Sequence, residues 1–341
     1  MKARLLCSEA PGGQRQNLAE NLPLSTPYVV QFFPIYACNF TCKYCHHSIP
    51  LSERKFVTDW AVMEYKLFDK CIHELQQFPE KIKTLRFVGM GEPLLHKDIV
   101  KMVKEAKRAE VANTVEIVTN GSLLTHEMSD GLIGAGLDRL VISLQGTSAQ
   151  KYKEVCGVDL DFCTFVDNIK YFYEHKNNTH MYLKIVDVAL ADDDDKQKFF
   201  ELFGDICDTI GIESTVPIFP DVEYNADLYE NKGLKTQFGL PVKHVKVCPQ
   251  AFYTMQINPD GKIVGCYAVY YPRILDNCND RNLVEIWNGE GYSQFRRQML
   301  DGREHVCKFC EECTINDFRI FPEDDISEYS EELKEKYCLF A

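Results

Sequence analysis

The chain is predicted to be an α/β protein: a partial (β/α)6 TIM-like barrel followed by a small C-terminal unit of a β-hairpin and a helix. Three observations point there. Short β-rich runs alternate with helix-period stretches from residue 28 to about 218. A cysteine cluster spaced C-x3-C-x2-C directly follows the first of those runs. A second set of cysteines lies far downstream, around a strand–turn–strand pattern. Alternation of this kind implies parallel strands joined by helical crossovers. Loops at the C-terminal strand ends of such a barrel build its site.

Strands are expected at 28–35, 84–88, 114–118, 139–144, 182–188 and 213–218. Helices are expected at 59–77, 98–109, 126–135, 162–174 and 195–210. In the last of these, Phe199, Leu202, Phe203, Ile206 and Ile210 share one helical face. The four aspartates Asp192 to Asp195 read as a helix N-terminus, where carboxylates suit the macrodipole, rather than as a metal site. Residues 217–245 mix Pro, Gly and charge without a period and read as a connection. Beyond it, Asn258-Pro259-Asp260-Gly261 turns a hairpin, and a helix follows at 290–300. The resulting division is 1–27 as an N-terminal extension, 28–218 as the barrel, 219–247 as the connection, 248–315 as the C-terminal unit and 316–341 as an acidic tail.

With 341 residues, 45% of them hydrophobic, the chain suffices for one large domain plus an appendage. Lys and Arg number 38 against 51 Asp and Glu, a net charge of −13. That balance lacks the basic footprint that neutralises phosphates, so no nucleic-acid partner is expected. No apolar run reaches the roughly 20 residues that span a bilayer, and no signal-peptide core opens the chain. No membrane partner is expected, and the chain is read as cytoplasmic. Fifteen cysteines in a large chain without an export signal suggest metal or catalytic thiols, not disulfides.

Cys38, Cys42 and Cys45 can hold three irons of a [4Fe–4S] cluster and leave the fourth open to a small ligand. Structural zinc, with His46 or His47 as a further donor, is the competing reading, although the spacing is crowded for it. The run from Ala37 to Cys45 resembles the signature of the radical S-adenosylmethionine (radical SAM) enzymes. The resemblance implies that the triad's cluster binds S-adenosylmethionine (AdoMet) at its free iron and that Tyr44 packs on the adenine. One electron then cleaves AdoMet to a 5′-deoxyadenosyl radical, which removes a hydrogen atom from a C–H bond. An external one-electron reductant, such as a flavodoxin or ferredoxin, is implied as well.

Gly89-Met90-Gly91-Glu92 ends the second expected strand. Its plain reading is a βα turn, in which glycine permits a close approach to the backbone. Beside the cysteine motif it resembles the family's Gly-Gly-Glu element, which implies that Gly91 and Glu92 receive the AdoMet amino group. Asn120 and Ser143, at the next two strand ends, stand where relatives contact the ribose and methionine portions. Lys184 is a candidate partner of the AdoMet carboxylate; a solvated strand lysine is the plain alternative.

Cys248-x17-Cys266 and Cys307-x2-Cys310 offer four thiolates for a closed [4Fe–4S] or zinc site. The stretch resembles the SPASM and twitch appendages of radical SAM enzymes, which implies an auxiliary [4Fe–4S] cluster. The full SPASM pattern is not met, since Asp317 lies near the place of a missing cysteine. One auxiliary cluster of the twitch type is therefore expected, with Cys313 and Cys338 as candidate ligands of a second. Cys156 stands where relatives carry Arg before glycine; it is a candidate hydrogen donor to a substrate radical, against the plain reading of a buried structural thiol.

The lead-in at 20–27 resembles that of relatives near carbohydrate and aminocyclitol pathways. The 37 residues before Cys38 are fewer than a leader-recognition domain needs. The expectation is oxidation, or epimerisation, at a carbinol carbon of a sugar-like or aminocyclitol small molecule, with the auxiliary cluster assisting electron transfer. Modification of a peptide or protein side chain is the second reading. A metal-stabilised binding protein that makes no radical is the third.

Overall fold

A computed structural model describes residues 1–9, 15–54, 61–224, 235–268, 270 and 272–339. Strand β1 (Arg4–Leu5) opens the chain, and β2 (Val29–Phe32) leads into the cysteine loop. Then come α1 (Tyr65–Leu75), β3 (Ile82–Phe87), α2 (Ile99–Arg108), β4 (Ala112–Thr119), α3 (His126–Gly134), β5 (Arg139–Leu144), α4 (Ala149–Cys156), α5 (Phe162–His175), β6 (His180–Val186), α6 (Asp193–Phe203) and β7 (Thr209–Glu213). The C-terminal part adds α7 (Gln250–Tyr253), β8 (Thr254–Ile257), β9 (Lys262–Val264), β10 (Asp276–Asn277), α8 (Leu283–Trp287), α9 (Glu290–Asp301), α10 (Lys308–Glu312), α11 (Ile315–Arg319) and α12 (Ser330–Leu339).

These strands form one sheet in the order β1-β7-β6-β5-β4-β3-β2-β8-β9-β10. Every pair from β1 to β8 is parallel, and only β9 and β10 run against their neighbours. The α/β architecture with an open, mostly parallel sheet is the expected one. Strand alternation splits the residues between two faces. Val30 and Phe32 of β2 are fully buried on the helical side, where Phe32 meets the Phe68 ring of α1 at 4.9 Å. Gln31 takes the other face, in register with Arg86, Glu116 and Arg139 on β3, β4 and β5. Glu116 is 2% exposed in the side chain and pairs with both Arg86 and Arg139, the latter at 2.8 Å. Burial pushes its carboxyl up, but the two guanidinium groups outweigh burial and hold it below the ordinary 4.5.

Several elements depart from the expectation. The last barrel strand is Thr209–Glu213, not 213–218, and α6 stops at Phe203. Gly204 ends that helix; an added Cβ there would lie 2.5 Å from both Met1 Cγ and the Phe200 carbonyl oxygen. Ile210 therefore belongs to a strand and not to the helical face of Phe199. Asp192 caps α6, accepting the Asp195 N–H at 2.9 Å, so the aspartate run opens a helix as read. Helix α4 was not expected; Ser148 caps its start and Gly157, at φ +67°, ends it.

The N-terminal segment is part of the body. β1 pairs with β7, and Leu18, Ala19 and Leu22 join the core. Trp287 Nε1 donates to the Leu24 carbonyl at 3.0 Å. The C-terminal hairpin continues the barrel sheet, because β8 pairs in parallel with β2 from Val29↔Thr254 to Phe32↔Ile257. Lys70 on α1 clamps the join by donating to the Cys278 carbonyl at 2.6 Å. The acidic tail is folded too: Leu333 of α12 is fully buried, and Tyr337 packs on Phe252 at 5.6 Å. Among the described residues no helix is long and apolar enough to cross a membrane.

Candidate active site

Cys38, Cys42 and Cys45 lie on the loop after β2, and neighbouring elements fix that loop from three sides. Behind it, the end of α4 accepts its backbone. Thr41 N–H and the Thr41 hydroxyl both donate to the Cys156 carbonyl at 3.0 Å, and Lys43 N–H donates to the Val155 carbonyl at 2.9 Å. Beside it, the Asn120 amide at the end of β4 donates to Asn39 Oδ1 at 2.9 Å and approaches Cys38 Sγ at 3.9 Å. In front stands the Gly89–Glu92 turn, whose Glu92 N–H donates to the Ala37 carbonyl at 2.9 Å.

Both glycines of that turn are required, for different reasons. Gly91 has backbone against it: an added Cβ would lie 2.2 Å from the Ile35 carbonyl oxygen. Gly89 sits at φ +136°, with the Phe33 ring 2.5 Å from where a Cβ would be. Glu92 is 2% exposed and joins the ends of β3 and β4. Its carboxylate accepts the Leu94 N–H at 2.9 Å, the Thr119 hydroxyl at 2.6 Å and the Asn120 N–H at 2.7 Å. Burial pushes this carboxyl up, and those three donors oppose the rise. A carboxylate has about four acceptor sites, so Glu92 keeps room for one more donor.

The Tyr44 hydroxyl donates to Gln145 Oε1 just after β5, while its carbonyl accepts the Tyr224 hydroxyl at 2.9 Å. His47 bridges the cysteine loop and the glycine turn. Its Nε2 donates to the Met90 carbonyl at 2.9 Å, and its Nδ1 accepts from Arg54 Nη1 at 3.1 Å. That arrangement needs a neutral ring, in agreement with burial lowering His47 to about 4.

Burial pushes the Cys38 and Cys45 thiols up to about 12. Contact with Cys156 and burial together raise Cys42. A bound metal core reverses this, because a coordinated thiol is deprotonated outright. Among the described residues no three His, Cys, Asp or Glu side chains converge on a single ion.

Other expected residues are differently engaged. Ser143 lies in register with Lys184. Lys184 Nζ pairs with Glu213 at 2.6 Å. Glu213 also accepts from Gln237 at 2.5 Å, Gln237 accepts from Arg319 at 2.5 Å, and Arg319 stands 5.3 Å from the centre of the Tyr267 ring. Cys156 is fully buried behind the cysteine loop and donates to the Tyr152 carbonyl at 2.9 Å. Its thiol is enclosed between α4 and the loop.

A cavity in the C-terminal unit is lined by Cys248, Cys266, Cys310 and Cys313, with Arg303 and Asn316 between them. Cys307, expected among the ligands, stands at the start of α10 within reach of Cys310. Asp317 pairs with Arg303 at 3.3 Å. The side chain of Cys338 lies outside the described residues. The cavity neighbours the first cysteine loop: Tyr267, next to Cys266, meets the Phe33 ring at 5.6 Å, and Tyr270 meets the His46 ring at 6.2 Å. Gln145, His47, Tyr224, Tyr267 and Arg319 carry no spacing signal in the sequence. Only adjacency to a motif cysteine could have marked two of them, His47 beside the triad and Tyr267 beside Cys266.

Two family models match this chain: the radical SAM superfamily over residues 32–194, and the SPASM iron–sulfur cluster-binding domain over residues 248–314. The chain belongs to the radical SAM superfamily. This radical SAM enzyme accordingly uses AdoMet, the [4Fe–4S] cluster that binds it, and an auxiliary [4Fe–4S] cluster. It is 26% identical over 318 residues to the tungsten-containing aldehyde ferredoxin oxidoreductase cofactor-modifying protein of Pyrococcus furiosus, covering 82% of this chain and 85% of that one. The crystal structure of BtrN in complex with AdoMet and 2-DOIA is similar at 17% identity and a TM-score of 0.51, covering 84% of this chain and 92% of that one. Streptococcus suis SuiB bound to precursor peptide SuiA is similar at 15% identity and a TM-score of 0.58, covering 82% of this chain and 69% of that one. At these identities the two structures speak for the fold alone.

Proposed function

We propose that this radical SAM enzyme oxidises a carbinol carbon of a compact hydroxylated small molecule, sugar-like or aminocyclitol. Cys38, Cys42 and Cys45 hold the AdoMet-binding cluster, and cysteines of the C-terminal cavity hold the auxiliary one. When bound, these groups supply a 5′-deoxyadenosyl radical that takes the carbinol C–H hydrogen atom and an acceptor for the electron left behind, while the hydroxyl proton departs to leave a carbonyl. An external one-electron reductant of the flavodoxin or ferredoxin type starts the reaction. Tyr44 and Glu92 orient AdoMet, and the contact of His47 with the Met90 carbonyl keeps the cysteine loop and the glycine turn in register.

The observation that carries the substrate class is His46 and the tyrosines around it. His46 directly follows Cys45 and is 5% exposed, and its Nδ1 has no partner among the described residues. A buried polar atom without a partner asks for a ligand or a water. Tyr224 and Tyr270 close over the same loop. Their hydroxyls are held by the Tyr44 carbonyl and by Asp221, so they offer ring faces, which suit the C–H face of a sugar-like ring. The enclosed position of Cys156 supports oxidation over epimerisation, since return of a hydrogen atom needs a thiol open to the substrate.

The test uses anaerobically reconstituted, reduced enzyme with AdoMet and sugars or aminocyclitols deuterated at their carbinol carbons. Deuterium in 5′-deoxyadenosine together with a carbonyl product is expected. Transfer from deuterated peptides while the sugars stay silent would overturn the substrate class, and an inverted but unoxidised product would overturn the reaction.

A further inference from the structure

We propose that the auxiliary cluster is ligated by Cys248, Cys266, Cys310 and Cys313, and that Cys307 remains a free thiol beside it. The inference rests on the auxiliary-cluster reading above and refines it. The sequence here is Cys307-x2-Cys310-x2-Cys313, so two pairs have the same spacing and spacing cannot choose between them. A closed four-iron cluster takes four thiolates. Five cysteines are at hand, and one is superfluous.

The short helix α10 makes the choice. Cys307 sits at its N-cap, Cys310 within it and Cys313 at its C-cap. Cys310 and Cys313 line the cavity together with Cys248 and Cys266, and Cys307 does not. The far end of the helix is also the anchored end. Arg303, 3% exposed, donates from Nη1 to the Cys313 carbonyl at 2.7 Å and is itself held by Asp317 at 3.3 Å. Asn316, 4% exposed, accepts from Cys248 Sγ at 3.0 Å, which ties the residues after Cys313 to the first ligand. Buried groups that fix the orientation of ligand-bearing backbone are what a metal site needs around its ligands. Cys307 stands against Cys310 and near Cys266 but does not line the cavity.

The test uses the full chain with Cys38, Cys42 and Cys45 all changed to alanine, so that any remaining cluster is the auxiliary one. After anaerobic reconstitution with iron and sulfide, this background is expected to hold about four irons per chain. Adding Cys307→Ala should leave that content unchanged, and adding Cys313→Ala should lower it several-fold. Alkylation of the loaded background, mapped by peptide mass, should label Cys307 and spare Cys248, Cys266, Cys310 and Cys313; this arm needs no further substitution and survives misfolding of a variant. Loss of iron in the Cys307→Ala chain, or labelling of Cys313 with Cys307 protected, overturns the assignment while leaving the auxiliary cluster in place. A background that binds no iron, or binds zinc in its stead, overturns the auxiliary-cluster reading itself.

Discussion

Replacing Gly91 with alanine is expected to detach the glycine turn from the cysteine loop. The new Cβ would lie 2.2 Å from the Ile35 carbonyl oxygen and 2.7 Å from that of Ala37. Both obstacles are backbone, so no side chain can swing aside, and the turn must retreat by about 1 Å to reach ordinary contact. Overpacking of this kind costs about 1–3 kcal/mol. The retreat also breaks the 2.9 Å bond from Glu92 N–H to the Ala37 carbonyl, for about 1 kcal/mol more. Together these should lower the melting midpoint of the cluster-free chain by roughly 5 °C. With Glu92 in its proposed role at the AdoMet amino group, the same shift should lower AdoMet affinity about ten-fold or more, as 1.4 kcal/mol is ten-fold. Thermal melts followed by circular dichroism read the first effect, and anaerobic titration calorimetry of reconstituted protein reads the second. A Gly91→Ala chain with the parent's melting midpoint and the parent's AdoMet affinity would refute the reasoning.

Glu116→Gln should lose about 3 kcal/mol at neutral pH by leaving Arg86 and Arg139 uncompensated. The Glu116 carboxyl is held below its unfolded value of 4.5, so its contribution is present above that pH and is lost as pH falls through the folded value; urea unfolding should therefore show parent and variant converging in acid. Lys184→Met should cost about 3 kcal/mol through the buried Glu213, with AdoMet affinity changed less than about two-fold. A large loss of AdoMet affinity without loss of stability would instead return Lys184 to the cofactor carboxylate. Tyr44→Phe removes the hydrogen bond to Gln145 and should weaken AdoMet binding about three- to ten-fold, with iron content unchanged.

What was legible in the sequence was local. The triad, the Asp-Gly hairpin and the Gly91-Glu92 turn are each set by a few neighbouring residues, and all stand where they were expected. The strand Thr209–Glu213 was misplaced because Ile206 and Ile210 continue a helical period that Gly204 interrupts. Helix α4 was passed over, although its Ser148 cap and Gly157 stop are ordinary boundary signals. The β2–β8 pairing joins residues more than 200 positions apart, and no periodicity encodes it. The contacts of His47 with Met90, of Tyr44 with Gln145 and of Lys184 with Glu213 are likewise made only after folding. Choosing among Cys307, Cys310 and Cys313 needs the cavity, since their spacings are equal.

The most direct measurement is 5′-deoxyadenosine formed from AdoMet by the reduced, anaerobically reconstituted chain, read beside its iron content. The parent should form 5′-deoxyadenosine with about eight irons per chain. The chain with Cys38, Cys42 and Cys45 changed to alanine should form none while retaining about four. A parent that carries its iron yet never cleaves AdoMet, or a triad variant that still does, would contradict the assignment of radical chemistry to these three cysteines.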